Sequence, residues 1–389
     1  MRAIDCLSLD DFEIAARGVL PRPLFGFLAG AAEDHRAFQG NRAAFERWAL
    51  RTRVLVDVSK RSTEVELFGQ RLAAPFGIAP MGLSALCAYR GDVALARAAQ
   101  AARVPMIVSA TSLIRLEDVL AEARASQAEA PLPWFQAYLP GEPERIDALL
   151  DRVAGSGVQV LVVTADVPLS GNRENNVRAG FSTPLRPSLR LAWDGLARPR
   201  WLLGTFGRTL LRHGMPHFEN AFAERGAPLL SSRAVRDLSA RDHLSWAHLE
   251  RIRARWKGKL VIKGILSGED TARARALGAD GVIASNHGGR QLDHAVAPLA
   301  VLPEVVAAAG DMAVMLDGGV RRGTEVIKAL ALGARCVFVG RPMLMAAAVG
   351  GQAGVARAIE LLQAELHRNL ALMGMSGCGQ LTPAHLMPR

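Results

Sequence analysis

The 389-residue chain is 50% hydrophobic and 22% charged, a balance that suits a globular protein with a sizeable core and excludes a disordered or fibrous one. No uncharged apolar run approaches the ~18 residues needed to span a bilayer. The start, Met1-Arg2-Ala3-Ile4-Asp5, has early acids and no apolar stretch of signal-peptide length. The net charge of +10 is concentrated: 15 Lys/Arg and 6 Asp/Glu lie between Arg186 and Lys259, a net of +9 that leaves about +1 for the rest. The four cysteines, Cys6, Cys87, Cys336 and Cys378, show no metal-ligand spacing and read as reduced structural thiols of a cytosolic protein.

In chain order, helix-like Leu9–Val19 and Arg36–Trp48 form an N-terminal helical segment, residues 1–74. Eight short apolar runs with strand character follow: Pro75–Pro80, Met106–Ser109, Trp134–Leu139, Val160–Asp166, Leu260–Ile265, Gly281–Asn286, Ala313–Asp317 and Cys336–Gly340. Amphipathic stretches separate most of them, at Gly91–Ala102, Leu116–Ala125, Arg145–Ala154, Glu269–Leu277, Leu299–Ala309 and Gly323–Leu332. Strands alternating with helices of ten or more residues imply parallel pairing through right-handed crossovers. Eight such units predict an α/β fold of the eightfold β/α (TIM) barrel type, one domain over residues 1–389. A doubly wound dinucleotide-binding sheet lacks its fingerprint, because no Gly-x-Gly-x-x-Gly follows the first strand. The interval 167–259 is too long for one crossover and reads as a partly mobile lid above the barrel, with helix-like Leu244–Trp256. The tail, residues 351–389, adds a helix at about Val355–Leu372.

Catalytic groups of such barrels cluster at the C-terminal ends of the strands. Those ends are Pro80-Met81-Gly82, Ser109, Gln136 with Tyr138, Thr164 with Asp166, Lys263, Ser285 with His287 and Arg290, Asp317-Gly318-Gly319, and Gly340-Arg341. An imidazole can take a proton near neutral pH, and a guanidinium can hold a carboxylate through two parallel hydrogen bonds. Asp166 is placed to pair with His287 across the barrel mouth and to stabilise its protonated form. Lys263, inside an apolar strand, must meet an anion; it can form a Schiff base, stabilise negative charge on a bound ring, or sit in a buried ion pair. For Arg173, an exposed ion pair competes with a role at the site. The glycine-rich ends of strands seven and eight, with Arg321 and Arg341, suit a phosphate held by loop amides and a helix N-terminus.

The basic block begins Arg198-Pro199-Arg200-Trp201-Leu202-Leu203-Gly204-Thr205-Phe206-Gly207-Arg208-Thr209-Leu210-Leu211-Arg212. Arginines interleaved with Trp, Phe and Leu suit a membrane headgroup interface better than a nucleic-acid groove, and no nucleic-acid partner is expected.

Trp134-Phe135-Gln136-Ala137-Tyr138, Leu260–Gly264, Ser285–Asp293 and Asp317–Arg322 resemble the FMN-dependent (S)-2-hydroxy-acid oxidising enzymes, a family that includes glycolate oxidase, L-lactate dehydrogenase and (S)-mandelate dehydrogenase. His213-Gly214-Met215-Pro216-His217 looks most like the mandelate dehydrogenase branch, where this loop attaches to a membrane. The resemblance implies an FMN cofactor, a small 2-hydroxy acid substrate, a quinone-type acceptor, a homotetramer, and a cytoplasmic protein peripheral on the inner face of a membrane. It makes His287 the base, with Asp166 stabilising its imidazolium. Arg173 and Arg290 grip the substrate carboxylate, Tyr138 hydrogen-bonds the substrate, and Lys263 faces the flavin N1–C2=O edge. Pro80, Met81, Gly82, Ser109, Gln136, Thr164 and Ser285 belong to the ring site. Asp317 binds ribityl hydroxyls, while Gly319, Arg321, Gly340 and Arg341 bind phosphate. Two departures stand out. Phe27 replaces a tyrosine that bonds the substrate carboxylate, which opens the site to bulkier, more apolar acids. Gly82 replaces the alanine common in oxidases, the pattern of quinone-reducing members. An oxygen-using oxidase or monooxygenase and a non-catalytic flavin-binding protein are the alternatives.

Overall fold

Apolar runs of three to seven residues, buried on both faces, leave no edge exposed to water only if the sheet closes on itself. The computed structural model, which describes residues 1–127, 130–183, 185–230 and 241–389, has that form. Its strands are β1 (Phe76–Ile78), β2 (Ile107–Ser109), β3 (Trp134–Ala137), β4 (Val160–Thr164), β5 (Lys259–Ile265), β6 (Gly281–Ala284), β7 (Ala313–Asp317) and β8 (Cys336–Val339). Each neighbour in the sheet is parallel, and β1 pairs with β8. A bridge between Ile78 and Met106, with the Ile78 amide donating to the Pro105 carbonyl at 2.8 Å, closes the ring between β1 and β2. All eight expected strands are present, and the fold is the eightfold β/α barrel.

The two-residue period of a strand sorts its side chains between barrel interior and helical shell. Val160 and Val162 join Trp134, Val261, Ile283, Met315 and Phe338 inside, whereas Leu161 and Val163 pack outward among the helices. An antiparallel hairpin, Val65–Leu67 with Gln70–Leu72, plugs the N-terminal end. Its Leu67 and Leu72 join the interior cluster, and Phe68 meets Trp134 at 5.6 Å between ring centroids. The opposite rim stays open, and there the polar strand ends emerge.

The crossover helices match expectation within one or two residues: Gly91–Ala101, Leu116–Ser126, Pro143–Gly155, Gly268–Ala276, Pro298–Ala309 and Gly323–Ala331. The N-terminal helix Leu9–Val19 is as expected, while the next one ends at Glu46, because Trp48–Leu50 pairs antiparallel with Leu386–Pro388 at the C-terminus. Arg22–Ala29 is an unexpected helix, started by Pro23 in its first turn. The last helix begins at Arg341, directly after β8, and breaks at Gly350–Gly351, so Val355–Leu372 is only its second part. Cys6, Cys87, Cys336 and Cys378 are all buried and free.

In the insertion, helices Glu174–Ala179, Leu189–Leu196, Pro199–Trp201 and Arg208–His213 flank a π-helical turn, Leu202–Gly207. Helix Trp246–Arg255 follows. The stretch is built around Trp201, which is buried, stacks on Phe206 at 5.4 Å and donates from Nε1 to the Leu86 carbonyl at 2.7 Å. Residues 231–240 of the expected lid lie outside the described residues. No helix among the described residues is long and apolar enough to cross a membrane.

One local irregularity positions the rim. The β5–β6 register shifts between Lys263 and Ile265, and Gly264 takes φ +108°. A Cβ at Gly264 would stand 2.6 Å from the Cβ of Asp166. Only glycine meets both demands. Gly264→Ala is expected to cost roughly 1–3 kcal/mol from the backbone conformation alone, more with the displacement of Asp166. Urea denaturation checks this, and a variant with the wild-type midpoint would contradict it.

Candidate active site

A cavity of about 840 Å³ opens at the C-terminal rim, and every strand end contributes to its wall. Pro80, Met81, Gly82, Ser109, Tyr138, Thr164, Lys263, His287, Arg290, Asp317, Gly319, Arg321, Gly340 and Arg341 line it, together with Phe27 and Arg173. Asp166, Gln136 and Ser285 do not line it; they stand behind the wall and contact residues that do.

His287 sits just beyond β6 in the left-handed region, φ +57°, held there by its amide donating to Ser285 Oγ at 3.0 Å. Its Nδ1 lies 3.1 and 3.3 Å from the two oxygens of Asp166, and its Nε2 lies 3.4 Å from the Tyr138 hydroxyl. Bonding to a carboxylate assigns the ring proton to Nδ1, which leaves the Nε2 lone pair facing the cavity. Burial pulls the His287 pKa below its ordinary 6.5, against the opposing pull of Asp166. Burial pushes the other way on Asp166, but His287 and Lys263 outweigh it and hold the carboxyl below its usual value. The pair therefore rests as neutral imidazole and carboxylate.

Lys263 is buried on β5, with Nζ donating to Ser285 Oγ at 2.6 Å and 3.0 Å from Asp317 Oδ2. Burial lowers its pKa, yet Asp317 and Asp166 more than compensate, and the ammonium is held above its ordinary value. A Schiff base needs the neutral amine, so that option recedes. The buried ion pair and a place on the cavity wall are both realised.

Among the described residues, Arg173 does not form the exposed ion pair considered for it. Its Nε donates to the Arg290 carbonyl at 2.9 Å and its terminal nitrogen to Gln291 Oε1 at 2.5 Å. Arg290 donates from one terminal nitrogen to the carbonyls of Phe27 and Gly30, at 2.8 and 2.7 Å, and lies 4.8 Å above the Phe27 ring. Phe27 in turn stacks on Phe181 at 4.5 Å. Burial, then the charges of Arg173 and Arg341, hold the Arg290 guanidinium well below its ordinary pKa. Cations crowded without carboxylates form a receptor for an anion.

At the other end, Arg341 donates to the carbonyls of Leu28, Gly30 and Gly288, and burial lowers its pKa to about 9. Arg321 lies 3.4 Å from Asp10 of the N-terminal helix. Gly318 and Gly319, both with positive φ, carry the backbone past them. Between the two ends, Gln136 Nε2, Thr164 Oγ1 and Asp317 Oδ1 are buried polar atoms without hydrogen-bond partners in the protein. Such atoms are rare in a folded core, and they face the demands of a polar ring and polyol chain. The cavity volume is ample for a mononucleotide. The residues present fit FMN.

Thr111, Phe181, Arg241 and the Asn41–Asn286 amide pair, bonded at 2.8 and 2.7 Å, were not anticipated. Phe181 and Arg241 lie in the insertion, whose composition reads as surface, and Thr111 follows β2 beyond its apolar run. Among the described residues no cluster of His, Cys, Asp or Glu suits a metal ion.

The chain is similar along nearly its whole length to proteins of known activity. (S)-mandelate dehydrogenase of Pseudomonas putida is 38% identical over 379 residues, covering 97% of this chain and 93% of its own. An L-lactate oxidase of Nostoc sp. is 40% identical, covering 96% and 95%. The crystal structure of the monotopic membrane protein (S)-mandelate dehydrogenase superposes with a TM-score of 0.87 at 36% identity, over 99% of this chain and 100% of that one. The model of the family "FMN-dependent dehydrogenase" matches residues 16–388, and the chain belongs to that family.

Proposed function

We propose that the chain oxidises an (S)-2-hydroxy acid, mandelate-like or lactate-like, to the 2-oxo acid and passes the electrons to a quinone-type acceptor at a membrane surface. The observation that carries this reading is the proton-accepting face of His287, set against two carboxylate-free arginines over one cavity. Bound FMN supplies the two-electron acceptor. Thr164 and Asp317 would offer their unpartnered polar atoms to its ring and ribityl chain, with Gln136 supporting Ser109 from behind the wall; Lys263 would offer a fixed positive charge beside the ring, and Arg321 and Arg341 would hold its phosphate. Arg173 and Arg290 take the substrate carboxylate through their remaining N–H groups, which leaves C2 and its hydroxyl toward His287 and Tyr138. His287 Nε2 receives the proton that leaves the substrate. Asp166 then faces an imidazolium at hydrogen-bond distance and stabilises it.

Gly82 supports the quinone-type acceptor. A Cβ there would stand 2.0 Å from Thr111 Oγ1, so the alanine common in oxidases does not fit this wall without movement. The relatives include a lactate oxidase and structures of a mandelate oxidase, and use of oxygen is the second reading; hydrogen peroxide formed in air distinguishes it.

Membrane association rests on exposed apolar groups among the arginines of the insertion: Leu189, Trp193, Leu196, Leu203 and Leu211 are each at least 60% exposed. Each such side chain contributes about 1.5–3 kcal/mol when buried in an apolar phase. Deleting 196–212 would also remove the packed Trp201, so charge substitutions are the cleaner probe. Trp193→Glu with Leu203→Glu and Leu211→Glu is expected to shift the protein from co-sedimentation with anionic vesicles into the supernatant. Undiminished co-sedimentation would show that the membrane contact lies elsewhere.

His287→Gln is expected to keep FMN bound and to slow anaerobic flavin reduction by ~10²–10⁴-fold. Wild-type reduction rates in that variant would remove His287 from the base role. Because the working form is the neutral imidazole, and burial sets its pKa below the ordinary 6.5, the acid limb of the wild-type reduction rate should be centred below pH 6.5. Stopped-flow rates with an acid limb centred above pH 7 would contradict this.

A further inference from the structure

Substrate capture at this site requires Arg173 to hold a fixed direction without losing its charge. Arg173 stands on the insertion, at the start of helix Glu174–Ala179, rather than on a strand end. What holds its guanidinium is the segment beyond His287. There the Arg290 carbonyl accepts from Nε at 2.9 Å, and Gln291 Oε1 accepts from a terminal nitrogen at 2.5 Å. The two stretches of backbone are pressed together at Gly171, where a Cβ would stand 2.5 Å from the Arg290 carbonyl oxygen and 2.6 Å from that of Gln291.

The Gln291 side chain works in both directions. Its Nε2 donates to the Leu169 carbonyl at 2.8 Å and to the Asp166 carbonyl at 3.3 Å. One arm therefore grips the loop that follows β4, including the residue that pairs with His287, and the other arm turns Arg173. A guanidinium only donates and a carbonyl only accepts, so this junction requires a group that accepts on one arm and donates on the other. A side-chain amide does so without charge. A carboxylate would accept from Arg173, but it has no proton for the two carbonyls, and as an ion pair it would cancel the guanidinium charge.

We propose that Gln291 is a positioning residue for substrate capture: it aims Arg173 at the cavity and, being neutral, leaves the guanidinium charge to the substrate carboxylate. This rests on the reading of the site given above and adds to it the residue that keeps that charge available. Gln291 does not line the cavity whereas Arg173 does, so its effect on the substrate passes through Arg173.

The test uses the full-length, FMN-loaded protein and its variants Gln291→Glu and Gln291→Met. The charged probe is the 2-oxo acid of whichever of (S)-mandelate and (S)-lactate bleaches the wild-type flavin, benzoylformate or pyruvate; the neutral probe is its primary amide. Binding is read from the change in the oxidised flavin spectrum on titration. In Gln291→Glu the acid should half-saturate at least ~10-fold higher than in the wild type, while the amide stays within about twofold. Gln291→Met releases the guanidinium but keeps its charge, so the acid should weaken by roughly 3-fold and the amide again should not follow. Anaerobic reduction should show the same split, with the half-saturating 2-hydroxy acid raised further than the limiting rate is lowered. Acid binding unchanged in either variant, or acid and amide weakened alike, would overturn the proposal, and so would loss of bound FMN from both variants. If no 2-hydroxy acid bleaches the wild-type flavin, the proposed function fails. If one does and the variants bind the acid as the wild type does, this inference alone fails.

Discussion

The contact between Asp166 and His287 is the constraint around which the rim is organised. It brings together the residues beyond two strands that are not neighbours in the sheet, and it needs the chain between them to give way. Gly264, on the intervening β5, provides that gap, because any side chain there would strike Asp166. The backbone of His287 is held in the left-handed region by Ser285, and Ser285 also accepts from Lys263, which reaches Asp317. One hydrogen-bonded chain thus runs through the ends of β4, β5, β6 and β7. Strained backbone concentrated at one residue of such a network is what a preorganised site exhibits.

Charge distribution follows a second logic. Ion pairs engage the acids of the rim, Asp166 with His287 and Asp317 with Lys263, whereas two of the arginines are held by backbone carbonyls: Arg290 by Phe27 and Gly30, Arg341 by Leu28, Gly30 and Gly288. Carbonyl oxygens orient a guanidinium without cancelling its charge. The arrangement keeps the cations in place and leaves their attraction available to anionic groups that arrive from outside.

The strands and their order were legible because period-two burial and helical crossovers leave strong local patterns, as Val160–Thr164 shows. Most of the candidate residues that line the cavity were legible too, since they lie at or within a few residues of the end of an apolar run; Phe27 and Arg173 do not. The geometry of the site was not. That Arg173 would bond to Arg290 and Gln291 rather than to an acid depends on the folding back of the insertion, which no local pattern encodes. Arg241 was read as part of a membrane-facing basic block, because composition does not distinguish an arginine turned inward from its exposed neighbours. Gly264 looked like one more strand glycine, and its necessity arises only from the proximity of Asp166. The Trp48–Leu50 pairing with the C-terminus was hidden for the same reason, a contact between segments more than 300 residues apart.

The most direct measurement is anaerobic titration of the purified protein with the two enantiomers of mandelate and of lactate, following the flavin absorbance. A yellow protein that is bleached by the (S) acids, keeps its colour with the (R) acids, and releases the matching 2-oxo acid is the predicted result. A protein that neither carries nor takes up FMN, or whose flavin stays oxidised with every (S)-2-hydroxy acid tried, would contradict the account.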